Sequence, residues 1–186
     1  MSTETGLDTL KQDVRYLMDR TAILDCIVGH ARGCDRHDID LITAAYHPDA
    51  VDEHGLTKNP GPDYGEWANK THAATSQVHT HNITTHSCDI DGDIAHADSY
   101  AIVVLLGADG KTAQFVSGRY IDRLERRDGH WRIALRRSTV ETMFLADAAC
   151  YRPHSSKNRI PLRDQGPSRS VVPTPLDLDT PAPQLW

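Results

Sequence analysis

The stretch "DIDGDIAHADSYAIVVLLGADGKTAQFVSGRYIDRLERRDGHWRI", residues 89–133, carries Asp-Gly three times, at Asp91, Asp109 and Asp128. Asp-Gly between alternating apolar runs marks a tight hairpin, because such turns need positive φ and glycine adopts it without steric cost. The turns are eighteen and nineteen residues apart, which leaves room for strands of about fifteen residues. This spacing predicts a four-stranded antiparallel meander over 78–90, 94–106, 112–125 and 130–142. Strands of that length curl strongly when helices cover one face.

Upstream the period changes. Residues 7–47 read as helices, with Leu10, Val14, Leu17 and Met18 at helical spacing, then Ile23, Ile27 and His30. Asp19 or Thr21 can cap a second helix. Gly33 and the "GCDRHD" stretch break the pattern, and Asp38 can cap a third helix through Ala45. His47-Pro48 ends it, because proline disfavours helix in the residue before it. "AVDEHG" (50–55) reads as a short strand, "KNPGPD" as a loop, and 64–77 as a helix with Trp67 inward. Helices followed by a curled sheet give an α+β cone with a pocket between the layers, or the same cone with a filled core.

The 186 residues divide into an α+β domain over 1–150 and an arm over 151–186. The arm is rich in proline, serine and charge and lacks periodicity, as an extended or disordered segment does. Its apolar end, "PQLW", could dock on a neighbouring subunit. The net charge of −6, with no basic cluster longer than Arg132, Arg136 and Arg137, argues against a nucleic-acid partner. No run approaches the length of a membrane helix. The polar, acidic N-terminus has no apolar leader core, so a soluble, cytoplasmic protein is expected. Cys26, Cys34, Cys88 and Cys150 form no C-x-x-C pair and suggest no zinc knuckle.

Histidine concentrates in "VHTHNITTH", residues 78–86. Alternate strand residues share a face, so His79 and His81 lie together with Ile83 and Thr85, and His86 points the other way. His-x-His on a strand can ligate a metal, act as a base, or be a plain polar face. Metal binding needs distant partners such as Asp35 or His54, because no acid follows until Asp89. A base needs only one carboxylate to fix the imidazole tautomer and stabilise the imidazolium. Asp35, in "HARGCDRHD", is the candidate, although a turn or cap residue would occupy the same place.

Three segments, "RTAILDCIVGHARGCDRHDIDLITAAYHPDA", "HTHNITTHSCDIDGDIAHADSY" and "GRYIDRLERRDGHWRIALRRS", together resemble the SnoaL-like branch of the nuclear transport factor 2-like superfamily. That branch includes scytalone dehydratase, hexachlorocyclohexane dehydrochlorinase and bile-acid 7α-dehydratase. The resemblance spans about residue 8 to 145. It implies a cone-shaped α+β barrel and a homo-oligomer, a trimer or less often a dimer. It also implies a hydrophobic small-molecule substrate and no metal or organic cofactor. The implied chemistry is a dehydratase-type β-elimination on a cyclic substrate such as a steroid or polyketide. A ketosteroid-isomerase-like double-bond shift is the first alternative. The second is a non-catalytic binding module or oxygenase small subunit.

By the same resemblance His81, eleven residues before Gly92, is the base and Asp35 its partner. Arg136 holds a leaving group or enolate oxygen. His30 stands five residues before Asp35, where the bile-acid enzyme has tyrosine, and could act as an acid. His54 is expected at the pocket mouth, with His79 beside the base. Tyr46, Trp67, Tyr100, Phe115, Met143 and Phe144 are candidates for lining, or for plain core.

Overall fold

A computed structural model of the chain describes residues 3–148. The arm expected over 151–186, and Cys150, lie outside the described residues. Helix α1 (Thr3–Arg36) is followed by α2 (Ile39–Ala44), β1 (Tyr46–His54), β2 (Thr57–Pro60), a short 3-10 turn (Gly61–Asp63) and α3 (Tyr64–Thr75). Four long strands complete the domain: β3 (Ser76–Asp91), β4 (Ile94–Gly107), β5 (Thr112–Arg127) and β6 (His130–Asp147). They form the expected antiparallel meander. The sheet has six strands rather than four, in the order β2-β1-β6-β5-β4-β3, because β1 adds in parallel to β6 and β2 pairs antiparallel to β1. It curls without closing, and the fold is α+β.

Two expectations for the helices are corrected. No helix starts at Asp19 or Thr21: Thr21 Oγ1 donates back to the Leu17 carbonyl at 2.8 Å, inside an unbroken turn. The Asp19 carboxylate instead binds Arg126 and Trp131 Nε1, tying α1 to the last hairpin. Gly33 does not break the helix either. A Cβ there would stand 2.7 Å from Ile42 Cγ1, so its glycine lets α2 pack directly on α1. The helix ends three residues later. His37 adopts φ +54, the Asp38 N–H bonds Gly33 O (2.9 Å) and the His37 N–H bonds Cys34 O (3.3 Å), the two bonds of a Schellman stop. Asp38 then caps α2 by accepting from Leu41 N–H.

Of the apolar residues at helical spacing, Ile23 and Ile27 are fully buried, whereas Leu10 and Leu17 remain more than half exposed. The strand expected at 50–55 begins earlier, at Tyr46, and its ladder to β6 is interrupted between Tyr46 and Val51. Pro48 lies in that gap and has no N–H to offer. "KNPGPD" is not all loop, since Lys58–Pro60 belong to β2.

The three Asp-Gly turns differ. Asp128 and Gly129 both have positive φ (+52 and +76), as a type I′ hairpin requires. At the first turn only Gly92 does (+58). At the second, Asp109 Oδ1 accepts from the N–H groups of Lys111 and Thr112. The core lies on the concave face, where Ile23, Ile27, Ile42, Leu124 and Ile133 are fully buried.

Candidate active site

The Schellman stop places Asp35 in the last turn of α1, against β3. Both Asp35 oxygens accept the His81 backbone N–H at 2.9 Å, and Oδ1 lies 2.6 Å from His81 Nδ1. A carboxylate only accepts, so the ring hydrogen is on Nδ1 and the lone pair on Nε2. The helix end and the strand therefore hold the imidazole in the tautomer of a base. Two residues earlier on the same face, His79 is buried with both nitrogens occupied, Nε2 by Cys34 O (2.9 Å) and Nδ1 by Ser76 Oγ (3.0 Å). It fastens β3 to α1 and to the Ser76 hydroxyl at the start of its own strand rather than facing a ligand. The His72 ring, from α3, stacks 4.2 Å from His79 and 5.6 Å from His81. Burial drives the His72 pKa down to about 3, so it stays neutral beside His81.

His86 corrects the alternation rule. Pairing shifts between Ile83 and His86, so one extra residue enters β3 and the facing parity inverts. His86 then pairs with Ser99 and bonds its buried hydroxyl (2.8 Å), on the same concave face as His81.

A second polar group lies across β1, β6 and β5, where Asp52, Arg136 and Asp122 are register neighbours. All three are essentially inaccessible. Arg136 grips Asp122 with Nε (2.8 Å) and Nη2 (2.7 Å), and its Cζ lies 4.1 Å over the Tyr120 ring. Its Nη1 donates to His30 Nδ1 (2.8 Å). The expectation that Arg136 faces a substrate oxygen is thus corrected, because the guanidinium is occupied inside the core. His30 also lies inside. Since Arg136 only donates, His30 accepts at Nδ1 and carries its hydrogen on Nε2, 3.1 Å from Tyr46 Oη. Burial, then the Arg136 charge, keeps the His30 pKa well below its ordinary value, so the ring is neutral, and its Nε2 hydrogen is engaged by Tyr46 inside the core. Tyr46 Oη donates in turn to Asp52 Oδ2 at 2.5 Å. Burial raises the Asp52 pKa to about 6.

His54 stands at the edge of this group, its side chain about one third exposed. Nδ1 is 3.2 Å from Tyr64 Oη, and the ring packs 5.6 Å from Trp67. Burial lowers its pKa to about 4. Tyr46 and Trp67 accordingly lie by the polar residues. Tyr100, Phe115, Met143 and Phe144 do not, and their expected lining role is corrected. Tyr100 is exposed between buried Ser99 and Ala101, hence on the convex face. Phe115 and Phe144 meet each other at 6.1 Å, and β6 is exposed from Val140 to Asp147.

Asp52, Asp122, Tyr64, His72 and Tyr120 were not singled out from the sequence. Asp52 was within reach, being two residues from His54 on one strand face. Among the described residues, no three or more His, Cys, Asp or Glu side chains are arranged to hold a metal ion. No described helix is long and apolar enough to cross a membrane.

Residues 15–137 match the model of the SnoaL-like domain. No curated protein sequence matches the chain. Among solved structures, a hexachlorocyclohexane dehydrochlorinase (LinA, type 2) superposes with a TM-score of 0.68 at 19% identity, over 72% of this chain and 93% of that one. A protein from Novosphingobium aromaticivorans provisionally named as an aromatic ring hydroxylase gives 0.63 at 27% identity, over 70% and 94%. Another from that organism, provisionally named scytalone dehydratase, gives 0.63 at 14% identity, over 69% and 88%.

Proposed function

The chain belongs to the SnoaL-like domain family, and from that premise we propose that it is a cofactor-independent lyase with His81 as its base. The observation that carries this is the 2.6 Å contact between His81 Nδ1 and Asp35 Oδ1, which leaves Nε2 as a proton acceptor. His81 removes a proton from the carbon next to a carbonyl, and a group on the following carbon departs. Asp35 stabilises the imidazolium that forms. Trp67, Tyr64 and the carbon faces of the histidines suit a hydrophobic cyclic ketone of steroid or polyketide type. The dehydrochlorinase and dehydratase names among the structural neighbours agree with elimination.

The test is incubation with cyclic β-hydroxy ketones, 3-hydroxy-1-tetralone first, followed by mass spectrometry. Loss of water that disappears in His81→Ala is expected. A β,γ-unsaturated steroid ketone whose double bond moves at constant mass would indicate an isomerase instead. If neither reaction depends on His81, the reading fails. The likeness to the protein named as a ring hydroxylase favours a second reading, a non-catalytic oxygenase component. Stable co-purification with an iron–sulfur large subunit would support it.

The same reading makes the protein a homo-oligomer, with a trimer as the form to test. Val140, Met143, Phe144 and Leu145 are all more than half exposed on β6, an apolar surface that assembly would cover. The mass by light scattering checks it.

A further inference from the structure

Asp52 is fully buried, and its two oxygens are treated differently. Oδ2 accepts from Tyr46, whereas Oδ1 is buried without a hydrogen-bond partner. A buried, unpaired carboxylate oxygen is costly. Oδ1 lies 3.8 Å from His54 Nδ1. We infer that Asp52 and His54 form a second carboxylate–imidazole pair, which gives a proton to the departing group. The inference rests on the lyase reading above.

Charge counting gives the first argument. The core holds two carboxylates, Asp52 and Asp122, and one guanidinium, Arg136. Arg136 is bidentate on Asp122, so Asp52 has only neutral donors and is the carboxyl that takes up a proton. Its raised pKa agrees with this.

Proton order gives the second. Arg136 donates to His30, His30 to Tyr46 and Tyr46 to Asp52 Oδ2. A proton added at Oδ2 would leave the Tyr46 hydroxyl hydrogen without an acceptor in this chain. The added proton therefore belongs on Oδ1, the oxygen that faces His54. The Tyr64 hydroxyl lies 3.2 Å from His54 Nδ1 and can give or take that bond; a proton on Asp52 Oδ1, beside Nδ1, makes Nδ1 the acceptor and sets the His54 hydrogen on Nε2. That nitrogen has no partner among the described residues, on a ring about one third exposed. Facing the pair are Tyr46 and Glu53 on β1, His30 on α1, Tyr64 on α3, Arg136 on β6 and Asp122 on β5. The His81 charge also acts on His54.

The step balances. The substrate C–H proton moves to His81 Nε2, and its electron pair becomes the new π bond. The C–O bond breaks with its electrons on oxygen, which takes the Nε2 hydrogen of His54 and leaves as water. His54 Nδ1 gains the Asp52 Oδ1 proton, and the Tyr64 hydroxyl turns from donor to acceptor of the new Nδ1–H. Asp52 is left a carboxylate held by Tyr46. Solvent then takes the proton from His81 and gives one to His54 Nε2, and the His54 Nδ1 hydrogen passes back to Asp52 Oδ1.

Two measurements test the pair. NMR of protein carrying 13C-carboxyl aspartate and 15N histidine should show Asp52 and His54 shifting with one shared midpoint. The His54 step in that range should vanish in Asp52→Asn. Identical His54 titration in wild type and Asp52→Asn overturns the pair. In kinetics, 3-hydroxy-1-tetralone is compared with 3-chloro-1-tetralone, because chloride leaves without a proton. The hydroxyl-to-chloride turnover ratio should fall about 10²-fold in Asp52→Asn and in His54→Gln. An unchanged ratio in both overturns the acid role. If the wild-type protein acts on neither ketone, the lyase reading fails, and the shared titration alone decides whether the pair exists.

Discussion

Asp35 and His81 meet across 46 residues of chain at 2.6 Å, whereas Asp52 and His54 are two residues apart on one strand and 3.8 Å from each other. The first carboxylate is partly accessible and also accepts a backbone N–H. The second is sealed in the core with one oxygen unbonded. A carboxylate given several donors stays ionised and orients its histidine, while a desolvated one with few donors is driven to hold a proton. Two pairs of the same residue types thus differ in solvent and donors in the direction that their proposed tasks, base and acid, require.

Four perturbations sharpen or break that contrast. His81→Ala should lower turnover of 3-hydroxy-1-tetralone by about 10² to 10⁴. Its melting temperature should change little, since Asp35 still holds the backbone at that position. Full activity would remove the first pair from catalysis. Arg136→Met should act on the fold instead. It leaves buried carboxylates uncompensated at a cost of about 3–5 kcal/mol in urea unfolding, and Asp122→Leu in the same chain should recover much of it.

The third perturbation is pH. Folded Asp52 binds its proton at about 6 against an ordinary 3.8, so the native state holds more protons than the unfolded chain between those values. Its contribution is therefore favourable at low pH and is lost as pH rises through about 6. Wild type compared with Asp52→Asn should lose up to roughly 3 kcal/mol from pH 4 to 7. An unchanged difference across that range would place Asp52 as an ordinary carboxylate. His72 has the opposite sign. Its pKa falls from 6.5 to about 3, so the unfolded chain gains the proton first and stability is lost as pH drops below 6.5. His72→Gln should lessen that loss by no more than about 2 kcal/mol at pH 5, read from urea midpoints.

The long strands were legible because alternation and Asp-Gly turns are local. The 2.6 Å contact of Asp35 with His81 joins two residues that the resemblance had paired. The environment of Arg136 was not legible. Counted from the turn at Asp128-Gly129, an unbroken ladder would pair Arg136 with Ile121. A register shift between Arg123 and Leu124 brings Asp122 opposite instead. The shift between Ile83 and His86 likewise returned His86 to the concave face. No residue type announces either irregularity. The parallel pairing of β1 with β6 was also hidden, and it is what brings Asp52 beside Arg136.

The order of amino acids alone carried the four long strands and their hairpin connections, since these depend on neighbours in sequence. Which carboxylate is dry, which nitrogen holds its hydrogen and which arginine is occupied were decided only by tertiary structure. Those properties depend on burial and on donors brought from other strands and helices, and the energy of a buried charge is set by everything that surrounds it.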